Sequence, residues 1–198
     1  MSSTEKAPKA RTYSVIPQAR LKNFIGREDE LQKILSFFSA SETVDPRILV
    51  LHALGGQGKS QIALKFCKLA RTTYRGIFWV NASSERATIQ SFVVFAQEID
   101  RTVTAALSDD EERVRFVLRN LEQWSERWML VFDSYDDPES FPDILRFIPS
   151  GICFHKISVN HLLIRQWGMG ISSSQLVIKV SSSWALSLRF HRCRRTKQ

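Results

Sequence analysis

The 198-residue chain contains little cysteine and no long apolar segment. Its cysteines, Cys67, Cys153 and Cys193, are scattered, so they form neither a disulfide framework nor a cluster with metal-binding spacing. No apolar run approaches the ~18 residues that a membrane span requires. The polar start MSSTEKAPKARTYS lacks the apolar core of a signal peptide. We therefore expect a cytoplasmic protein with no membrane partner.

Acidic residues are missing from the last part of the chain. Residues 144–198 contain 9 Lys and Arg but no Asp or Glu, whereas residues 1–143 contain 19 basic and 20 acidic residues. The net charge of +8 therefore comes from a basic tail on a neutral body. We expect a flexible lead at 1–20, a folded core at 21–150 and a divergent basic tail at 151–198.

The apolar periodicity predicts alternating helices and strands. The runs at 47–53, 76–82 and 128–133 are continuous and apolar, as is typical of parallel strands buried on both faces. Apolar residues spaced at three and four positions predict helices before the first run and between the others. The last of these helices follows a capping-box pattern that starts at Ser108. The order α-β-α-β-α-α-β predicts an α/β domain with a mainly parallel sheet flanked by helices.

Three of the eight glycines lie between the first predicted strand and its helix. The segment ALGGQGKS (53–60) fits the phosphate-loop pattern G-x-x-x-x-G-K-[ST], except that Ala53 replaces the first Gly. Glycines allow left-handed backbone, which turns N–H groups toward a phosphate. In this pattern the Lys reaches the β- and γ-phosphates and the hydroxyl binds Mg²⁺. We expect ATP or ADP to contact Gly55, Gly56, Gln57, Gly58, Lys59, Ser60 and Gln61.

Asp133 ends the third predicted strand, WMLVFD. An acid in this position has the form of a Walker B residue, which holds Mg²⁺ from an adjacent strand. We therefore predict Ser60 and Asp133 as metal ligands. An ordinary turn residue at a strand end is the alternative interpretation of Asp133. The phosphate-loop pattern and this acid together favour nucleotide binding.

Four segments in order, FIGREDEL, ALGGQGKSQIAL, IFWVNASS and WMLVFDSYDDP, resemble a known family over residues 17–150. They are similar to the NB-ARC domain, a STAND-class P-loop NTPase found in NLR-type immune and cell-death receptors, and most similar to fungal members. The resemblance implies a signalling switch that binds ADP at rest, exchanges it for ATP and then oligomerises. It also implies that Ile25, Gly26 and Arg27 lie beside the nucleotide, and that other domains of a signalling assembly are partners.

The chain departs from that family directly after Asp133. Many relatives carry a second acid there to position water for hydrolysis, and this chain has Ser134. Asp136 is a candidate for the missing catalytic acid, although surface turn residues are the more ordinary interpretation of Asp136 and Asp137. We therefore expect slow ATP hydrolysis or none.

A larger departure follows IPSG (148–151). The family continues with a turn, a strand and a Thr-[Ser/Thr]-Arg sensor, and Arg165 lacks the preceding Thr pair. In a shifted reading frame, codons for residues 167–179 can encode such a segment. We therefore interpret residues from about 152 onward as the product of a retained intron or a frameshift, with a genuine divergent tail as the alternative. The resulting P-loop core would be incomplete.

Two other functions stay open at this stage. Origin-recognition-type P-loop ATPases also have a G-R-E-like start, and the basic tail could neutralise nucleic-acid phosphates. The neutral body makes nucleic acid the less favoured partner. The chain could also be a non-functional fragment whose incomplete sheet exposes strand edges. We favour the nucleotide-dependent switch.

Overall fold

A computed structural model describes residues 11–18, 26–39, 47–52, 56–149, 175–180 and 185–189. For residues 47, 48 and 52, and for the last two ranges, only the backbone is described. The strands are β1 (Tyr13–Val15), β2 (Arg47–His52), β3 (Gly76–Asn81), β4 (Trp128–Asp133), β5 (Gln175–Val180) and β6 (Ala185–Arg189). The α-helices are α1 (Glu28–Ser39), α2 (Lys59–Leu69), α3 (Glu85–Ile99), α4 (Arg101–Ala106) and α5 (Asp110–Gln123), and short 3₁₀ helices lie at Ala70–Thr72 and Ile144–Phe147.

The described strands form one sheet in the order β1-β3-β4-β5-β2-β6. Strands β1, β3 and β4 pair in parallel, and β6 pairs in parallel with β2. Strand β5 pairs antiparallel with both β4 and β2, so β2 runs in the same direction as β4. The α/β class with helices flanking a parallel three-strand sheet is thus confirmed.

Alternating side chains of the sheet form two apolar cores on its opposite faces. Ile77, Met129 and Val131 pack with α1 and α2 on one face. Phe78, Leu130 and Phe132 pack with α3 and α5 on the other. Because side chains of a strand alternate between faces, a strand covered on both sides must be apolar throughout. This explains the continuous apolar runs in the sequence.

Three strands lie outside the predicted core at residues 21–150. The predicted flexible lead contains β1, which pairs with β3 from Tyr13↔Gly76 to Val15↔Phe78. A three-residue strand is too short to show a recognisable period, so composition alone did not reveal it. The predicted divergent tail contains β5 and β6. Their place in the sheet depends on pairing with distant strands, which local pattern does not specify.

The helices of the described ranges are each too short or too polar to span a lipid bilayer.

Candidate functional site

The ends of three strands meet at one edge of the sheet. Asn81 at the end of β3 aligns with Asp133 at the end of β4. Val50 of β2 and Phe132 of β4 both align with Val177 of β5, so β2 and β4 end at nearly the same level. In open α/β sheets, ligands bind outside the carboxyl ends of the strands. A ligand is therefore expected to bind at this edge of the sheet.

The described part of the glycine loop has the backbone that its glycines allow. Gly56 has a φ of 75° and Gly58 a φ of 78°, both in the left-handed region. A Cβ added at either position would meet nothing within 4 Å, so backbone conformation rather than space favours glycine there. Gly55 and Ala53 lie outside the described residues. The loop leads directly into α2, which begins at Lys59.

The first turn of α2 lacks the side-chain cap that the next three helices have. Ser84, Asp100 and Asp109 each accept hydrogen bonds from backbone N–H groups at the starts of α3, α4 and α5. Gly58 precedes α2, and no described side chain caps that helix. The first N–H groups of a helix need partners from outside it, and an anion is a suitable one.

Gln57 provides a second indication of a ligand at the loop. Its side-chain Oε1 atom is buried, and it has no hydrogen-bond partner among the described residues. A buried polar atom without a partner is costly, so its presence in a binding loop needs an explanation. A ligand or an ordered water in the loop would supply the missing donor.

The side chains of Ser60 and Asp133 meet across the sheet edge. The Ser60 hydroxyl donates a hydrogen bond of 2.8 Å to Oδ1 of Asp133. The Walker B pattern predicts the acid on a strand adjacent to β2, and this prediction is wrong, because β5 lies between β2 and β4. The contact forms nevertheless, because Ser60 lies on α2, beyond the glycine loop that follows β2.

Lys59 is a buried cation beside this pair. Only 7% of its surface is exposed. Burial lowers the pKa of Lys59 below its usual value, while the carboxylates of Asp136 and then Asp133 act in the opposite direction. Taking a charged ammonium group out of water is costly unless anions surround it. The two carboxylates therefore offset part of the cost of burying the Lys59 ammonium group.

The segment after β4 turns sharply and is held in place. Ser134 has a φ of 65°, in the left-handed region, and its N–H donates to the Asp133 carboxylate. The buried Tyr135 donates its hydroxyl proton to the carbonyl of Phe141 at 2.9 Å. The Asp137 carboxylate accepts from the Ser140 hydroxyl and from the backbone N–H groups of Glu139 and Ser140. Asp137 is therefore a turn-capping residue, as the sequence suggested.

Of the predicted residues, Ser60 and Asp133 are in direct contact, and Lys59 precedes Ser60 at the start of α2. Gly26 and Arg27 both have left-handed backbone directly before α1, with φ values of 76° and 72°. Such a conformation is uncommon for Arg and is often found at functional sites. Ile25 lies outside the described residues, and Gln61 is exposed. A place for any of these four residues beside a nucleotide stays a prediction.

Ser60 and Asp133 are suitable ligands for magnesium. Within the described ranges, no three His, Cys, Asp or Glu side chains cluster so as to hold a metal ion by themselves. A hydroxyl and a carboxylate oxygen, however, match the hard oxygen ligands that Mg²⁺ prefers, and Mg²⁺ commonly completes its shell with phosphates and water. The pair therefore fits a metal that arrives with a nucleotide.

Comparison with known proteins gives one distant similarity. The chain is 28% identical over 128 residues to a protein of Hyaloscypha variabilis described as a nucleotide-binding leucine-rich repeat (NLR)-like protein. The match covers 62% of this chain but spans only 12% of the length of that protein. No family model and no solved structure matches the chain. The similarity points to an NLR-type family.

Proposed function

We propose that the chain is an adenine-nucleotide-binding domain of the NB-ARC type, a P-loop NTPase unit of an NLR-like signalling protein. The observation that carries this proposal is the meeting of Ser60 with Asp133 at 2.8 Å, beside the buried Lys59. The left-handed glycines, the uncapped start of α2 and the name of the distant relative support it. The proposed ligand is ADP or ATP with Mg²⁺.

Each group of the site has a distinct part in this proposal. The backbone N–H groups of the glycine loop and the start of α2 would bind phosphate oxygens. The Lys59 ammonium would neutralise the β- and γ-phosphates. Ser60 and Asp133 would hold Mg²⁺, which neutralises phosphate charge and fixes the polyphosphate in one orientation. The direct hydrogen bond between them keeps both oxygen atoms at the place where the metal would enter.

The same site is poorly equipped for hydrolysis. Ser134 stands where many relatives of the proposed family have a second acid, and its side chain cannot accept a proton from water at neutral pH. The Asp137 carboxylate is already hydrogen-bonded to the Ser140 hydroxyl within its own turn. We therefore propose a switch that binds nucleotide and hydrolyses ATP slowly or not at all.

Replacing Lys59 by Ala tests nucleotide binding. The variant loses a charged contact to phosphate, so we expect the Kd for Mg·ADP to rise by about 10- to 100-fold, the equivalent of one strong charge-assisted hydrogen bond. Isothermal titration calorimetry on the full chain measures this change, and thermal unfolding verifies that the variant is folded.

Lys33→Ala is the matched control, because Lys33 is an exposed cation on α1. Its Kd for Mg·ADP should equal that of the parent chain. Equal Kd values for the folded Lys59→Ala variant and the parent chain, or no binding of ADP or ATP by the parent chain, would refute the proposal.

A further inference from the structure

Asn81 is aligned with Asp133 on the neighbouring strand. The two are register partners at the ends of β3 and β4, and the N–H of Ala82 donates to the Asp133 carbonyl at 2.7 Å. Trp79 and Val131, each two positions earlier, pack on the face of the sheet that α1 and α2 cover. Because side chains two positions apart in a strand share a face, Asn81 and Asp133 also lie on that face. Neighbouring strands are about 4.8 Å apart, so the Asn81 amide is within reach of the Asp133 carboxylate.

Three of the four hydrogen-bonding groups of Asn81 already have partners. Its N–H donates to the Ser91 hydroxyl at 3.1 Å, and its carbonyl accepts from the Thr88 hydroxyl at 3.2 Å. Its side-chain Oδ1 accepts from the N–H of Ser83 at 3.1 Å. The fourth group, the Nδ2 donor, has no acceptor among the residues that the structure describes, and the side chain is exposed. The three bonds fix the amide at the end of β3, so they also fix the direction of its free donor.

The Asp133 carboxylate has one oxygen that this donor can serve. Its Oδ1 accepts from the Ser60 hydroxyl and from the N–H of Ser134. Its Oδ2 accepts a hydrogen bond from no residue in the described ranges. Because β3 lies on the opposite side of β4 from β5 and β2, Asp133 stands between Ser60 and Asn81. A carboxylate that binds a metal is usually held by further hydrogen bonds, and Asn81 has the donor for one.

We propose that Asn81 is a positioning residue of the metal site, and that its Nδ2 donates to Oδ2 of Asp133 when Mg²⁺ binds. In the structure the Ser60 hydroxyl donates to Oδ1, and this bond is lost when both oxygen atoms turn to the metal. The carboxylate then depends on its other donors for its orientation. Asn81 supplies one without adding a second negative charge. This inference rests on the proposed nucleotide site and adds a residue that strengthens its hold on Mg²⁺.

Asn81→Ser removes the amide donor and keeps a hydroxyl that can accept from the N–H of Ser83. Calorimetry on the full chain gives the Kd for ADP in excess Mg²⁺ and in EDTA. The ratio of the Kd in EDTA to the Kd in Mg²⁺ should fall by about tenfold, the usual effect of losing a partner of a metal ligand. The Kd in EDTA should equal that of the parent chain. A role in the turn alone would raise both constants equally and leave the ratio unchanged.

Asn120→Ser is the matched control, because it makes the same substitution at an amide of α5 that donates to the Phe116 carbonyl. Its ratio should equal that of the parent chain. Thermal unfolding verifies folding, and Asn81→Thr, which also keeps a hydroxyl and suits a strand, replaces a serine variant that does not fold. An unchanged ratio in the folded variant, an equal fall in Asn120→Ser, or a parent chain that binds ADP equally with and without Mg²⁺ would overturn the inference and leave nucleotide binding intact. If the parent chain binds neither ADP nor ATP, the proposed function fails and this inference fails with it.

Discussion

Two neighbouring aspartates after β4 have the same chemistry but different surroundings. Asp137 accepts three hydrogen bonds within its own turn, and hydrogen bonds from Ser140 lower its pKa below the usual value. The charge of Asp136 instead raises the pKa of the buried Lys59, against the larger lowering by burial. The sequence suggested turn residues at both positions, because the two have the same chemistry and the same local context.

Cys67 is a free cysteine in the apolar core. It lies on α2 with none of its surface exposed, and its Sγ donates a 3.9 Å hydrogen bond to the sulfur of Met129. Burial raises the pKa of the Cys67 thiol to about 12. A thiolate in an apolar core is unfavourable, so this thiol is a packing element and not a nucleophile.

The raised pKa of Cys67 predicts a loss of stability at alkaline pH. The unfolded chain releases the thiol proton above about pH 9, whereas the folded chain retains it up to about pH 12, so the free energy of unfolding falls as pH rises between these values. Between about pH 8.5 and about pH 10.5 this group alone should remove ~2 kcal/mol. Urea unfolding at both pH values measures the loss.

The control for that prediction is Cys67→Ala, which lacks the ionisable group. Its stability should fall by ~2 kcal/mol less than that of the parent chain over the same pH interval. Equal losses in the two proteins would show that the thiol ionises as easily in the folded state as in the unfolded state.

At the scale of elements, the start of α5 shows how far local motifs can be predicted. The sequence favoured a capping box from Ser108 to Glu111, and the structure shifts it by one residue. Asp109 accepts from the N–H of Glu112, while the Glu112 carboxylate accepts from Ser108. These hydrogen bonds from Ser108 lower the pKa of Glu112. The predicted cap position was wrong by one residue. Ser108 and Asp109 are both good capping residues, and the position of the apolar face of the helix selects between them.

The start of β3 is packed more tightly than its sequence suggests. A Cβ at Gly76 would lie 2.5 Å from the Phe78 ring and 2.6 Å from the Trp124 ring. Trp124 stacks on Tyr13 of β1 at 5.2 Å, and the Arg75 guanidinium lies 4.4 Å from the Trp124 ring centre. The missing side chain of Gly76 therefore makes room for the aromatic contact that joins α5 to the edge strand.

Gly76→Ala should destabilise the fold by about 1–3 kcal/mol, the usual cost of overpacking. Alanine in a strand would otherwise gain about 0.5–1 kcal/mol over glycine, so steric conflict must outweigh that gain. Urea unfolding monitored by tryptophan fluorescence measures the difference. Thr73→Ala, an exposed change three residues earlier, should leave the midpoint within experimental error. A more stable Gly76→Ala variant would show that the ring cluster repacks freely.

At the scale of the whole molecule, the basic tail supplies a central strand. β5 lies between β2 and β4, so the phosphate-loop strand and the strand that ends in Asp133 are joined through it. The interpretation of residues from about 152 as a retained intron or frameshift product stays a prediction. β5 runs antiparallel to both of the strands with which it pairs.

Removing residues 152–198 should weaken the whole domain. Without β5, the backbone groups of β2 and β4 that face it lose their partners, and unpaired strand edges promote aggregation. We expect the shortened chain to unfold at a lower urea concentration and to be less soluble than the full chain. Size-exclusion chromatography and urea unfolding measure both effects. A shortened chain of unchanged stability would show that β5 contributes nothing to the fold.

The sequence by itself determined the features that depend on neighbouring residues. The buried strands 76–81 and 128–133 follow from continuous apolar runs, and the helices follow from apolar residues at three- and four-residue spacing. The left-handed loop follows from Gly56 and Gly58, because glycine populates that backbone region without a steric penalty. Each of these preferences acts within a few residues, so the order of residues is sufficient to reveal it.

The tertiary structure alone decided which distant groups meet. Ser60 and Asp133 are 73 positions apart in the chain and 2.8 Å apart in space. β5 was placed between β2 and β4 by pairing with strands that are distant in the chain. Backbone hydrogen-bonding groups are chemically alike in every strand, so pairing follows from how the apolar faces of the whole chain are buried together.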